Sequence, residues 1–421
     1  MKYNQWPRVK IAELCELIVD CVNKTAPSVD YETPYKMIRT PNIKGGRINL
    51  TGCRYVEKET FKKWTRRATV DKGDVLLTRE APMGEVGYVD FTDTVFLGQR
   101  IMQYRADPQK LDSAFLLYSF LSPDLQCQFR RHDSTGSIVS HIRVPDCSEF
   151  EISLPSLDEQ RKIASTLRNI DEKIALNSHI NTELEAMAKT LYDYWFVQFD
   201  FPDANGKPYK TSGGKMEYNT TLKREIPAGW RASNILSLAN LLGGGTPTKT
   251  KPEYWNGSIP FFTPTDSDKN IYSLNTQDSI TDLGLKNSST RLFEKNTIFI
   301  TARGSVGRLA LNAVPMAMNQ SCYALKAKQG VSFAFLYFLT KELIHHLEVK
   351  ATGSVFNSII SNDIEYTYLA LPEDNDLIDK YAKKTEFAFA KIELLTKENQ
   401  HLIALRDWLL PLLMNGQVTV K

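Results

Sequence analysis

The chain has no Cys-x-x-Cys pair, and its six cysteines (Cys15, Cys21, Cys53, Cys127, Cys147 and Cys322) form no cluster with its six histidines. That absence argues against a structural zinc site or a disulfide framework and fits a reducing compartment, so a cytoplasmic location is expected. No apolar run reaches transmembrane length, and the opening MKYNQWPRVKIAEL has no signal-peptide core, so no membrane association is expected. Charge of one sign is also scarce. The 52 Lys/Arg and 49 Asp/Glu leave a formal net charge of +3, so any nucleic-acid surface must come from local patterning.

Motifs of catalysis are missing too. There is no glycine-rich cofactor loop with an Asn/Asp-Pro-Pro-aromatic motif, and Asp107-Pro108-Gln109 is not one. The run Gly243-Gly244-Gly245-Thr246-Pro247-Thr248-Lys249-Thr250 resembles a phosphate loop but lacks the GxxxxGK[ST] spacing, and Pro247 removes a donor N–H. It reads as a strand-connecting loop. His345-His346 and His141 have no visible nucleophile or metal partner. No catalytic residue and no metal ligand is assigned, and the chain is expected not to be an enzyme by itself.

What is present is length and repetition. A chain of 421 residues exceeds one ordinary core, so two or more domains are expected. Residues 158–197 contain neither Pro nor Gly. Ile163, Leu167, Ile170, Ile174, Asn177, Asn181, Leu184, Ala188, Leu191 and Trp195 alternate by four and three, a heptad seam that predicts a helix about 60 Å long. Asp158 or Ser156 is its N-cap. Adding 218 gives a second seam: Tyr381, Thr385, Ala388, Ile392, Leu395, Asn399, Leu402, Arg406, Leu409 and Leu413. Asn181 and Asn399 correspond, either fixing register as half-buried amides or facing solvent as polar interruptions.

The region before each helix also repeats. Trp6 is matched by Trp230, Leu77-Thr78-Arg79 by Thr301-Ala302-Arg303, and Gly84-x-Val86-Gly87 by Gly304-x-Val306-Gly307. Gly98-Gln99-Arg100 aligns with Asn319-Gln320-Ser321, Thr135-Gly136-Ser137 with Thr352-Gly353-Ser354, and Leu154-Pro155 with Leu371-Pro372. Such matches in unbroken order, with each half ending in a heptad helix, indicate a duplication. The expected fold is a mixed α+β (α/β) two-domain repeat: globular domains at 1–155 and 229–372, long helices at 156–198 and 373–421, and a surface linker at 199–228. Antiparallel pairing of the helices as a coiled coil relates the halves by a pseudo-twofold axis, an arrangement suited to a duplex read at two separated half-sites.

Local patterning points to that duplex. Between Lys36 and Arg67 there are ten Lys/Arg against two acidic residues, with Tyr55, Phe61 and Trp64 interleaved. This is a phosphate-positioning face or a solvated surface around ordinary packing. Lys44 and Arg47 lie within it. Thr246, Thr248, Lys249, Lys251, Tyr254, Trp255 and Asn256 form a polar-aromatic loop in the second half. Arg79, Arg100, Arg303 and Arg308 sit at predicted strand ends, where they contact DNA or pair with acids inside the domain. Thr135, Ser137, Ser140 and Arg143, with Thr352, Ser354, Asn357 and Ser358, belong to two loops that permit close backbone approach or form tight turns.

Three runs carry a family resemblance. They are Leu154-Pro155-Ser156-Leu157-Asp158-Glu159-Gln160-Arg161-Lys162-Ile163-Ala164 followed by Leu167 and Asp171-x-Lys173-Ile174; Arg224-Glu225-Ile226-Pro227-Ala228-Gly229-Trp230; and Gly244-Gly245-Thr246-Pro247 leading to Pro252-Glu253-Tyr254-Trp255-Asn256-Gly257-x-Ile259-Pro260. Together they resemble the specificity subunit of type I restriction–modification systems over essentially the whole chain. The resemblance implies two target-recognition domains, two packed long helices, double-stranded DNA with a bipartite site as ligand, and two DNA-adenine methyltransferase subunits as partners, to which a translocating restriction subunit is added. S-adenosylmethionine and ATP then belong to those partners, with no cofactor on this chain. The first half lacks the GGTP…YWNG run, which implies recognition domains of different subclasses. The second helix lacks the usual Pro-x-x-x-Gln opening. The alternative reading is an architectural scaffold without sequence readout.

Overall fold

The computed structural model describes residues 6–134, 141–267, 270–351 and 357–420. The chain forms two compact units, residues 1–174 with 401–421, and residues 175–400. Mixed α/β content in two repeated units is therefore the architecture, and both long helices contribute to each unit.

In the first unit an antiparallel sheet runs in the order Cys15–Asp20, Ile101–Ala106, Val75–Thr78, Val86–Tyr88. A smaller sheet pairs Lys36–Ile38 antiparallel to Arg54–Tyr55 and parallel to Val95–Leu97. The second unit repeats the plan. Ala239–Gly243, Cys322–Ala327, Ile298–Thr301 and Leu309–Asn312 form the same antiparallel order, extended by Tyr272–Ser273. Trp255–Phe262 lies antiparallel to Asp278–Ile280 and parallel to Ala317–Met318. The central strands Val75–Thr78 and Ile298–Thr301 are buried along their whole length, which is why they read as unbroken apolar runs rather than alternating ones.

The hydrogen bonds correct the repeat register. Gly84 N donates to Thr78 O and Gly307 N to Thr301 O, each at 2.9 Å. Glu85 N and Arg308 N each donate at 2.9 Å to the hydroxyls of the same threonines. Arg79 N reaches Arg100 O as Ala302 N reaches Ser321 O, each at 2.8 Å. Arg79 therefore corresponds to Ala302 rather than Arg303, Glu80 to Arg303, and Gly84 to Gly307 rather than Gly304. Gly304 corresponds to Ala81, and both have positive φ, +82° and +45°. The sequence match followed the letters Arg and Gly; the backbone follows the buried threonine.

The first long helix spans Leu157–Tyr192 and continues into a wider π turn, Asp193–Val197. Ser156 is its N-cap and Asp158 is not. Glu159 N donates to Ser156 Oγ at 3.4 Å while Glu159 Oε2 accepts from Ser156 N at 3.1 Å, a capping box. The second long helix spans Asp376–Met414, and Asp379 N donates to Asn375 O at 2.9 Å at its start. In the first unit Ile163, Leu167, Leu413 and Met414 join a core with Val75, Met102, Phe115 and Phe120. In the second, Ala188, Tyr192, Trp195, Tyr381, Phe389 and Ile392 join one with Ile300, Phe335 and Phe338. Each fully buried side chain of this size contributes roughly 1.5–3 kcal/mol.

The seam residues named from the sequence are all buried or half-buried, Ile170, Ile174, Leu184, Leu191, Leu395, Leu402 and Leu409 among them. Within the second unit Asn177 Nδ2 donates to Asn399 Oδ1 at 2.9 Å, and Asn181 Nδ2 to Thr396 Oγ1 at 3.3 Å. The Tyr381 hydroxyl donates to Ala188 O at 2.9 Å. Partner numbers fall as the first helix rises, so the two segments run antiparallel there. Asn177 is fully buried, so the amide that the seam encloses is Asn177, with Asn399 as its partner.

The segment expected as a surface linker carries regular structure. Met216–Asn219 and Arg224–Pro227 form a hairpin. Phe201 stacks on Tyr209 at 4.7 Å and on Trp230 at 5.6 Å, and Phe199 is buried with Ile226. Its aromatics have no helical or strand period, so pattern reading passed over them. Among the described residues no helix is long and apolar enough to cross a membrane, and no group of three or more His, Cys, Asp or Glu side chains could hold a metal ion.

Candidate nucleic-acid interface

The loops at one end of the paired parallel strands converge in each unit. In the first, the strand Lys36–Ile38 runs into Arg39-Thr40-Pro41-Asn42, where Asn42 Oδ1 accepts from Arg39 N at 2.9 Å. Its neighbour Val95–Leu97 runs into Gly98-Gln99-Arg100, and Gly98 N donates to Ile38 O at 2.7 Å. Thr40 Oγ1 donates to Ala81 O at 2.9 Å, which ties the 79–84 loop to the same place. In the second unit Thr263–Asp266 forms the matching turn, with Asp266 Oδ2 accepting from Thr263 N at 2.8 Å. Asn319 N donates to Phe262 O at 3.0 Å.

The structure separates the sequence-selected arginines. Arg100 is exposed, has φ +71°, and its Nε lies 3.1 Å from Glu80 Oε2. Arg79 is only 8% exposed; its Nη1 donates to Ile142 O at 3.1 Å and its Nε has no partner. A guanidinium so enclosed holds the 142 segment and is not available to a ligand outside. Arg303 is exposed and bridges to Ser358 through the backbone. Arg308 is exposed as well, and its Nη1 donates to Ser267 O at 3.2 Å.

Lys44 and Arg47 face each other on a hairpin and are both exposed. Arg47 Nη2 reaches Asp171 O at 3.0 Å, and Gly45 N donates to Glu85 Oε2 at 3.0 Å. The wider 36–67 run is less free than its composition suggests. Lys36 pairs with Asp93 and Arg67 with Asp20. Phe61 and Trp64 pack against Ala26, Met37, Val56 and Phe96. Those two aromatics therefore serve the core, while Arg54, Lys58, Lys63 and Arg66 are exposed along with the Lys44/Arg47 hairpin.

In the second unit Thr248, Lys249 and Lys251 are exposed. Lys251 Nζ lies 3.1 Å from the hydroxyl of buried Tyr254, and that contact raises the Lys251 pKa. Trp255 Nε1 donates to Thr248 O at 3.2 Å and holds the loop. Arg143 is exposed but engaged by Asp146, with Nε 2.8 Å from Oδ2. Asn357 and Ser358 are exposed. Thr135, Ser137, Ser140, Thr352 and Ser354 lie outside the described residues.

Two side chains at the convergence were not selected from the sequence: Gln99 and Gln320. Both were visible as the one identical residue in the matched tripeptides Gly98-Gln99-Arg100 and Asn319-Gln320-Ser321.

Each of the two repeated α/β units places exposed basic side chains at a strand-end convergence and carries part of both long helices. A model of the type I restriction modification DNA specificity domain matches residues 3–186 and 227–403, and the chain belongs to that family. It is 27% identical to the type I restriction enzyme MjaIX specificity subunit of Methanocaldococcus jannaschii, over 88% of this chain and 83% of that one. It is 22% identical to the HindI specificity subunit of Haemophilus influenzae, over 84% of this chain and 88% of that one. In fold it is similar to the type I restriction-modification S subunit from M. genitalium, with a TM-score of 0.58 at 19% identity, covering 98% and 96% of the two chains.

Proposed function

We propose that this chain is the DNA sequence-specificity subunit of a type I restriction–modification complex, each recognition domain reading one half of a bipartite site. The observation that carries the reading is the duplicated strand-end convergence, with different chemistry in the two copies: half-buried Glu80 and exposed Arg100 in the first, exposed Arg303 and half-buried Ser321 in the second. Two such surfaces suit two different half-sites.

The recognition domains comprise residues 1–155 and 229–372. The long helices act as an antiparallel coiled-coil spacer that relates the domains by a pseudo-twofold axis and docks two methyltransferase subunits. Restriction/translocase subunits join the same complex. The chain itself is non-catalytic; S-adenosylmethionine and ATP bind the partner subunits, and the complex works in the cytoplasm. Lys44, Arg47, Arg100, Lys249, Lys251, Arg303 and Arg308 supply phosphate and base contacts.

The test is a genome-wide map of N6-methyladenine in the host, with and without this gene. Loss of one split motif on deletion is the expected result. An unchanged map, together with failure to co-purify with a methyltransferase, would overturn the reading. Exchange of residues 1–155 for another such domain should change one half of the motif only; an architectural scaffold would leave both halves as they were.

A further inference from the structure

Around the shared backbone of the two strand-end convergences most paired side chains differ, and one polar pair is identical. Structural equivalence pairs Glu80 with Arg303, Ala81 with Gly304 and Arg100 with Ser321, and the turn residues Arg39 and Thr263 occupy matching places. Gln99 and Gln320 are the same residue in the same turn, fixed on both sides by the same backbone bonds. Gly98 N and Asn319 N anchor the turns to Ile38 O and Phe262 O, at 2.7 and 3.0 Å. Arg100 O and Ser321 O accept from Arg79 N and Ala302 N, each at 2.8 Å.

Each glutamine also meets a threonine from the loop that follows the first strand of the larger sheet. Thr246 Oγ1 donates to Gln320 Oε1. Thr25 Oγ1 lies 3.4 Å from the Gln99 amide. When the Gln99 amide is oriented to satisfy both ends, its Oε1 accepts from Lys24 N and Thr25 N, at 3.2 Å each. In both units the carbonyl end is held by the threonine loop; in that orientation the Gln99 NH2 lies 3.4 Å from Thr25 Oγ1 and keeps its second N–H for an outside acceptor.

The second unit invests backbone geometry in this contact. A Cβ on Gly244 would meet Asn319 O at 2.1 Å, and one on Gly245 would meet Ser289 Oγ at 2.1 Å. Only glycines thread that gap, and they deliver Thr246 to Gln320. The glycine run that resembled a phosphate loop thus has a different task. Gln320 is exposed and Gln99 half-buried, so neither amide is sealed in a core.

We propose that Gln99 and Gln320 are equivalent DNA-reading side chains, each oriented by its threonine loop to donate an amide N–H to an acceptor that the two half-sites share. This rests on the specificity-subunit reading above. Neighbours that differ between the units read what differs between the half-sites; the glutamines take what is common. The acceptor is a base edge (purine N7, guanine O6 or thymine O4) or a phosphate oxygen. Thr25 and Thr246 are positioning residues, since they act through the glutamine.

The experiment uses the full chain assembled with its methyltransferase subunits, bound to its own duplex and to duplexes substituted one base pair at a time. Gln320→Leu is expected to weaken binding at least about fivefold, the scale of one lost interfacial hydrogen bond. Lost discrimination at a single base pair of one half-site assigns a base edge. Uniform weakening across all duplexes with an unchanged salt slope assigns a phosphate, since a neutral amide releases no counterion. Gln99→Leu should do the same in the other half-site. Thr246→Val should reproduce part of the Gln320→Leu effect and add little to it in the double variant. If Gln320→Leu fails to fold, Gln320→Glu, which keeps the acceptor for Thr246, carries the test with the same expected loss. Wild-type affinity and discrimination in the glutamine variants overturn the inference alone, and so do effects of both variants on one half-site. A wild-type complex that prefers no duplex overturns the specificity reading and this inference with it.

Discussion

Asp171, on the first long helix, accepts from Arg406 Nη1 on the second at 2.9 Å, and both lie within the first unit. The other carboxylate oxygen of Asp171 accepts from the Tyr118 hydroxyl at 2.8 Å, and its backbone carbonyl accepts from Arg47. One residue therefore joins both helix segments to the globular part of the unit. Asp171→Ala should cost about 1–2 kcal/mol, the value of charge-assisted bonds reduced for a partly solvated site. Denaturant unfolding of Asp171→Ala, Arg406→Ala and the double variant checks this: the two single costs should not add.

Arg79 and Arg303 looked alike in sequence and should behave differently. Arg79→Ala removes a buried guanidinium and its bond to Ile142 O, so a loss of about 2–3 kcal/mol of stability is expected. Arg303→Ala, at an exposed position, should change stability by less than about 0.5 kcal/mol while weakening DNA binding. Thermal unfolding and duplex binding measured side by side separate the two. Equal stability losses would contradict the burial difference.

Glu342 gives a pH dependence of known sign. It is buried in the second unit, where the Tyr192 hydroxyl donates to its Oε2 at 2.6 Å. Burial raises its pKa, opposed by that hydrogen bond and by Arg224. A carboxyl with a raised folded pKa holds its proton more tightly folded than unfolded. Its contribution is therefore fully present below the unfolded pKa and falls as pH climbs through the raised value. Glu342→Gln should raise the melting temperature over wild type more at pH 8 than at pH 4. An equal gain at both would contradict the shift.

If the long helices set the spacer, one heptad inserted into both at matched seam positions lengthens each by about 10 Å. That corresponds to about three base pairs of duplex. The methylation motif should keep both half-sites and widen its gap. An unchanged gap would remove the ruler role.

Much of the fold was legible because it rests on short-range regularities. The positions named from residue spacing are buried or half-buried from Ile163 to Leu413, because residues recurring by three and four fall on one face of a helix. The duplication was legible for a similar reason: strand order and turn glycines recur in sequence order. Its register was not, because Thr78 and Thr301 fix it through hydroxyl bonds across a loop, which no letter match records. The hairpin and ring packing of the 199–228 segment were not legible, because Phe199, Phe201 and Tyr209 pack on one another and on Trp230 without any period.

The candidate interface was less legible. Lys44, Arg47, Arg100, Arg303 and Arg308 are exposed and Arg79 is enclosed, a difference the sequence reading left open, and Gln99 and Gln320 were recorded as a repeat match without being chosen. Charge is written in the sequence; exposure and pairing are not.

By itself the sequence determined the two repeats, the long helices and the family to which the chain belongs, because periodicity and motif order are local properties. The tertiary structure alone decided which arginine is buried, which asparagine pairs across the helices and which glutamines meet a threonine. Those outcomes depend on side chains distant in sequence meeting at hydrogen-bond range, and only the folded backbone sets such distances.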